Sequence, residues 1–172
     1  MAKPPAKSGV SPRSQARRYA ALALYQWHLT RESPAVIKQH MLDDPEWLDA
    51  LAGSLSDSES DDDVPADARL RFKFNLDLFE SLLRGVPSHV TEIDAELDRV
   101  LDRPISQVDP VELAILRIGA YEILYSGDIP AGVAINEAVE LTKLLGAYEG
   151  HRYVNGVLDK LARRIALRTS AP

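Results

Sequence analysis

The side chains here that could do chemistry are cations and one tyrosine, set at the two ends of the chain. Arg13, Arg17 and Arg18 follow Lys3 and Lys7 in an opening stretch, residues 1–31, that contains no acid. On a helix the apolar stripe Ala16, Ala20, Ala23, Leu24 and Trp27 continues backwards onto Arg13 and Arg17. Guanidinium groups are rarely buried unpaired, so these first turns are expected to project beyond the packed body. Near the other end Tyr153, Gly156, Lys160 and Arg164 recur at i, i+3, i+7 and i+11, placing an aromatic ring beside cations on one helix flank. That pattern suits a single-stranded nucleic acid, whose bases stack on rings while its phosphates meet cations. Taken singly, a basic terminus can be a frayed, solubilising end and Tyr153 a cap on the core. Taken together, the two regions point to nucleic acid and are expected to converge into one groove.

Other chemistry finds no residues to carry it. The chain has no cysteine, so disulfides, thiolate metal sites and thiol nucleophiles are excluded. His28, His40, His89 and His151 show no metal-ligand spacing, and no phosphate loop, dinucleotide fingerprint or nucleophile elbow occurs. Asp57, Glu59 and Asp61 imitate a calcium loop, but Asp62 replaces its required Gly and Ala68 its bidentate Glu. Asp94, Glu96 and Asp98 read as a solvated helix face. The expectation is a protein without catalytic residues, metal or cofactor. Tyr25 lies across the first helix from its apolar stripe, as a protein-contact residue would.

The elements that must position these residues are helical. The chain has 172 residues, 45% hydrophobic and 27% charged, enough for one core. Its net charge of −6 conceals basic ends around an acidic centre, because residues 43–67 hold acids and no base. Ser11-Pro12 opens a helix to about Thr30 and Ser33-Pro34 a second to about Leu42, with a weak piece over Pro45–Leu51. Residues 54–65, beginning SLSDSESDDD, read as a mobile acidic loop. Phe72, Leu76, Phe79 and Leu83 mark a helix that Gly85 and Pro87 should stop, and Ile93, Leu97 and either Val100 or Leu101 mark the next. Asp109-Pro110-Val111-Glu112 resembles a capping box opening a helix to Tyr125 that is apolar nearly all round, hence central. Pro130 to Gly146 and Glu149 to Leu167 complete about seven helices, all-α, in two packed subdomains. The organisation expected is a basic tail over 1–10, one helical domain over 11–168 and a tail over 169–172. No signal peptide or run long enough to span a bilayer is seen, so a cytoplasmic, soluble protein is expected.

Several of these stretches carry a family resemblance. AALALYQW at 20–27, VELAILRIGAYEILY at 111–125, VAINEAVELTKLLG at 133–146 and RYVNGVLDKLAR at 152–163 resemble the bacterial antitermination factor NusB family. The resemblance covers 11–42 and 66–165 and implies an all-helical fold without catalysis. It implies two partners: the boxA element of single-stranded ribosomal RNA transcripts, and NusE, a small-subunit ribosomal protein. Together these help an RNA polymerase antitermination complex resist termination. By position it assigns RNA binding to Arg13, Arg17 and Tyr153, with Arg152 in the RNA-proximal turn, and assigns NusE contact to Tyr25 and Glu112. The charge reading adds Lys7, Arg18, Lys160 and Arg164 to the RNA set. Two departures stand out: Ser14 and Gln15 replace arginines common in the leader, and the segment 43–65 is longer and more acidic than usual. Two other readings remain. One is the accessory RNA-binding module that precedes the catalytic domain of ribosomal RNA cytosine methyltransferases. The other is a helix-turn-helix DNA binder turning at Gly146–Gly150.

Overall fold

The computed structural model describes residues 10–44 and 74–171. Lys7, the weak piece at 45–51 and the acidic loop at 54–65 lie outside the described residues.

Seven α-helices and one 3₁₀ turn make up the described chain: α1 (Pro12–Thr30), α2 (Pro34–Asp43), α3 (Leu76–Ser88), α4 (Val90–Asp98), the 3₁₀ turn Ile105–Gln107, α5 (Pro110–Tyr125), α6 (Ala131–Leu145) and α7 (Gly150–Thr169). The helix starts follow local chemistry. The Ser11 hydroxyl accepts from Ser14 N at 3.1 Å, and the Ser33 hydroxyl accepts from Val36 N at 3.3 Å, each followed by Pro in the first turn. Asp109 accepts from Val111 N at 2.9 Å and Glu112 N at 3.2 Å. Only this half of the expected capping box forms, because the Glu112 side chain turns away toward Gly150.

α3 does not stop at Gly85. It runs through Pro87 to Ser88, with Pro87 in its last turn. A proline there has no N–H to donate to Leu83 O, yet the chain just beyond still closes onto the helix: the His89 backbone N–H donates to Gly85 O at 3.1 Å and its Nδ1 lies 2.8 Å from the same oxygen. Gly85 is kept small for another reason, since a Cβ there would run into the ring of Tyr121.

α5 is the central helix that its all-round apolar pattern predicts. Leu113, Ile115, Leu116 and Ile118 are all fully buried on it, and α1, α3, α4, α6 and α7 pack around it. α1, α2 and α3 form one layer and α6 and α7 another, joined through α5 in one continuous apolar core. α7 crosses α5 closely at Gly119, where a Cβ would sit 2.6 Å from Leu158 Cδ1. Among the described residues no helix is long and apolar enough to cross a membrane.

Candidate nucleic-acid interface

α5 fixes where the two basic regions stand. α1 runs against it so that Arg17 Nε donates to Glu122 Oε1 at 2.9 Å and to Oε2 at 3.2 Å, near the C-terminal end of α5. α7 begins at the other end, where a Cβ on Gly150 would collide with Glu112 Oε1. Glu112 and Glu122 are ten residues apart, about 15 Å along a helix axis. The leader and the tyrosine flank therefore do not converge into one groove; they occupy opposite ends of α5.

Arg17 also fails to project. It is 2% exposed, and besides Glu122 its Nη1 lies 3.8 Å from Glu137 Oε2. The cation on the core face is tolerated because two carboxylates from α5 and α6 meet it, so Arg17 anchors α1 and does not reach out to a phosphate. Burial pushes the Glu122 carboxyl above the usual range, with Arg17 pulling in the opposite direction. Arg13, one turn earlier, is exposed. Arg18 is half-buried, with Nη1 donating to Gln15 Oε1 at 3.4 Å; burial lowers its pKa while Glu137 opposes the shift.

At the other end, Tyr153 is half-buried against the core, and its hydroxyl oxygen is enclosed without a hydrogen-bond partner. Burial raises its pKa, and Arg103 counteracts. The Arg103 guanidinium lies over the ring, Cζ 4.7 Å from its centroid, while its Nε donates to Asp102 Oδ1 at 2.9 Å. Arg103 belongs to the site although nothing in the sequence pattern marks it, because it sits in an irregular link outside any helical period. Lys160 is exposed, and its charge acts on Asp102. Arg164 is pinned more firmly, donating through Nε to Glu96 Oε2 at 3.4 Å. Arg152 is largely exposed and pairs with Glu149, the residue whose left-handed backbone (φ 64°) turns the chain into α7.

The two residues read as protein contacts are less available than expected. Tyr25 is half-buried against the core, so it does not stand out from the first helix. Glu112 is 8% exposed, and burial followed by Asp109 raises its pKa. It does line a groove between the end of α1 and the start of α5, together with His28, Arg31, Arg103 and Arg117. Chemically this end of the molecule offers one aromatic face already stacked with a cation, exposed cations around it and a groove beside it.

Comparison with known proteins agrees with this architecture. The profile of the NusB family matches residues 14–163. The transcription antitermination protein NusB of Alkalilimnicola ehrlichii is 44% identical over 163 residues, covering 94% of this chain and 87% of its own. That of Pseudomonas entomophila is 39% identical over 161 residues, covering 94% and 81%. Among solved structures, T. maritima NusB superposes with a TM-score of 0.63 at 24% identity, covering 90% of this chain and 93% of its own. The antitermination factors NusB and NusE in complex with double-stranded RNA include a chain with a TM-score of 0.64 at 22% identity, covering 88% and 96%.

Proposed function

This chain belongs to the NusB family, and on that premise we propose that it is a cytoplasmic, non-enzymatic RNA-binding adaptor. It binds boxA-type RNA together with NusE, within the RNA polymerase antitermination complex that supports ribosomal RNA transcription. The observation that carries the RNA part is the stacked pair Arg103–Tyr153 with Lys160 beside it. A base can take the ring face in place of Arg103, and the displaced guanidinium and the neighbouring Lys160 can each meet a phosphate. Arg13 and Arg18 offer further phosphate contacts toward the other end of α5, where Arg17 meets Glu122. Lys7 extends the leader in sequence, and Arg152 and Arg164 flank the ring on α7. Arg17 is left out of this set because its guanidinium is spent on Glu122. The groove lined by Glu112 is the surface best suited to NusE, and Tyr25, half-buried on α1, is the second residue assigned to that contact.

The test is anisotropy titration of a boxA-type RNA, a scrambled RNA, duplex RNA and duplex DNA, each with and without NusE. The proposal predicts the tightest binding for boxA-type RNA and a gain on adding NusE. Equal binding of scrambled RNA with no effect of NusE would contradict it, and preference for duplex DNA would favour a helix-turn-helix reading.

A further inference from the structure

Beyond Tyr153, α7 continues as a row of cations on one face: Lys160, Arg164 and Arg168 at i, i+4 and i+8. The segment from α4 to the 3₁₀ turn runs antiparallel alongside. Glu96 of α4 meets Arg164 and Arg168, while Arg103 at the far end of that segment meets Tyr153. Toward the C-terminal end of the row three guanidiniums, one of them Arg99 from the neighbouring segment, share one carboxylate. Glu96 Oε1 accepts from Arg168 Nη1 at 2.7 Å and from Arg99 Nη1 at 3.3 Å, and Oε2 accepts from Arg164 Nε at 3.4 Å.

Stability does not explain this arrangement. An exposed ion pair contributes about 0–1 kcal/mol, and three like charges around a single acid repel one another. What the arrangement does achieve is orientation. The Glu96 side chain is 14% exposed, whereas those of Arg99, Arg164 and Arg168 are 53%, 40% and 58% exposed. Each guanidinium gives one nitrogen to the carboxylate, which leaves its other N–H donors unspent on it. Burial works to raise the Glu96 pKa, but hydrogen bonding and charge from Arg168, then Arg99 and Arg164, outweigh it and hold the carboxyl below the usual range. Arg163, one position over, is cancelled by Asp159 at 3.0 Å and adds no net charge.

We propose that the Arg99–Arg164–Arg168 cluster on Glu96 is a second phosphate-binding surface, which takes the backbone of single-stranded RNA where it continues past Tyr153 along α7. The inference rests on the RNA-binding reading above and extends its footprint. From Tyr153 to Arg168 the row spans about 22 Å, which is about six nucleotides at the ~3.4 Å spacing of a stacked strand.

The experiment compares a short boxA-type RNA with versions lengthened by about six nucleotides at the 5′ or the 3′ end, on the full chain and on an Arg99→Ala/Arg168→Ala variant. One of the two lengthened RNAs is expected to bind the wild type more tightly than the short one. Two added phosphate contacts steepen the salt slope by about 1.4, so that advantage should shrink about sevenfold between ~50 and ~200 mM salt. The double variant should bind the short RNA as the wild type does, show an unchanged circular dichroism spectrum and lose the advantage. If neither lengthened RNA binds more tightly, or the variant keeps the gain, the second surface does not exist while the first reading stands. If the short RNA itself fails to bind the wild type, both fall together.

Discussion

The hydroxyl of Tyr153 is enclosed without a partner while the face of its ring carries Arg103, so ring and hydroxyl should separate by mutation. Tyr153→Phe removes an unsatisfied polar atom; it is expected to leave RNA affinity unchanged and to raise stability by up to about 1 kcal/mol in thermal unfolding. Tyr153→Ala removes the platform and should weaken RNA binding by about 1–3 kcal/mol. Equal affinity of the alanine variant would take the ring out of the site. At the other end of α5, Arg17→Met strands the Glu122 carboxylate and should cost about 3–5 kcal/mol of stability near neutral pH. The sign of its pH dependence follows from burial. A carboxyl whose folded pKa is raised stabilises the fold when protonated, an effect fully present below its ordinary value of 4.5 and lost as pH rises through the folded value. Without Arg17 that folded value rises further, so the deficit should be largest at neutral pH and shrink on acidification. A deficit that does not vary with pH would mean that Glu122 is not what Arg17 neutralises.

At the scale of elements, the start of α7 is set by what Gly150 leaves room for. A Cβ there meets Glu112 Oε1 and lies 3.3 Å from Thr142 Cγ2. Overpacking of this kind costs about 1–3 kcal/mol, and the better helix propensity of alanine recovers at most about 1. Gly150→Ala should therefore lower the unfolding midpoint. Glu112→Ala clears the space, so the double variant should lose less than the sum of the two single changes. Strict additivity would show that the two residues do not touch. Much of this element structure was legible in the sequence because caps and prolines act locally: Ser11-Pro12, Ser33-Pro34 and Asp109-Pro110 place three helix starts within a residue. The run of α3 through Pro87 was not legible, because the proline forfeits only its own bond to Leu83 O while the chain beyond it still closes onto Gly85 O through His89. The burial of Arg17 was hidden for a similar reason, since its carboxylate partner lies 105 residues away in sequence. The tyrosine and the α7 cations could be read from helical spacing, whereas Arg103 reaches the ring from an irregular link.

Across the whole molecule, the acidic average of −6 gives way to a surface on which cations stand at both ends of α5. Electrostatic attraction is felt within about 10 Å at physiological salt, so a strand senses these patches and not the mean charge. For a short RNA contacting Arg13, Arg18 and Lys160, log K against log salt should fall with a slope near −2, at about −0.7 per phosphate. A slope near −3 would indicate a fourth contact, for which Lys7, Arg152 and Arg164 are the candidates. The most direct test of the central claim is ultraviolet cross-linking of a boxA-type RNA to the full chain, with the modified peptides identified by mass spectrometry. Adducts should form on the α7 peptide carrying Tyr153 and disappear in Tyr153→Ala. Adducts confined to α2 and α3, with that peptide untouched, would place the RNA on another face of the molecule and contradict the account.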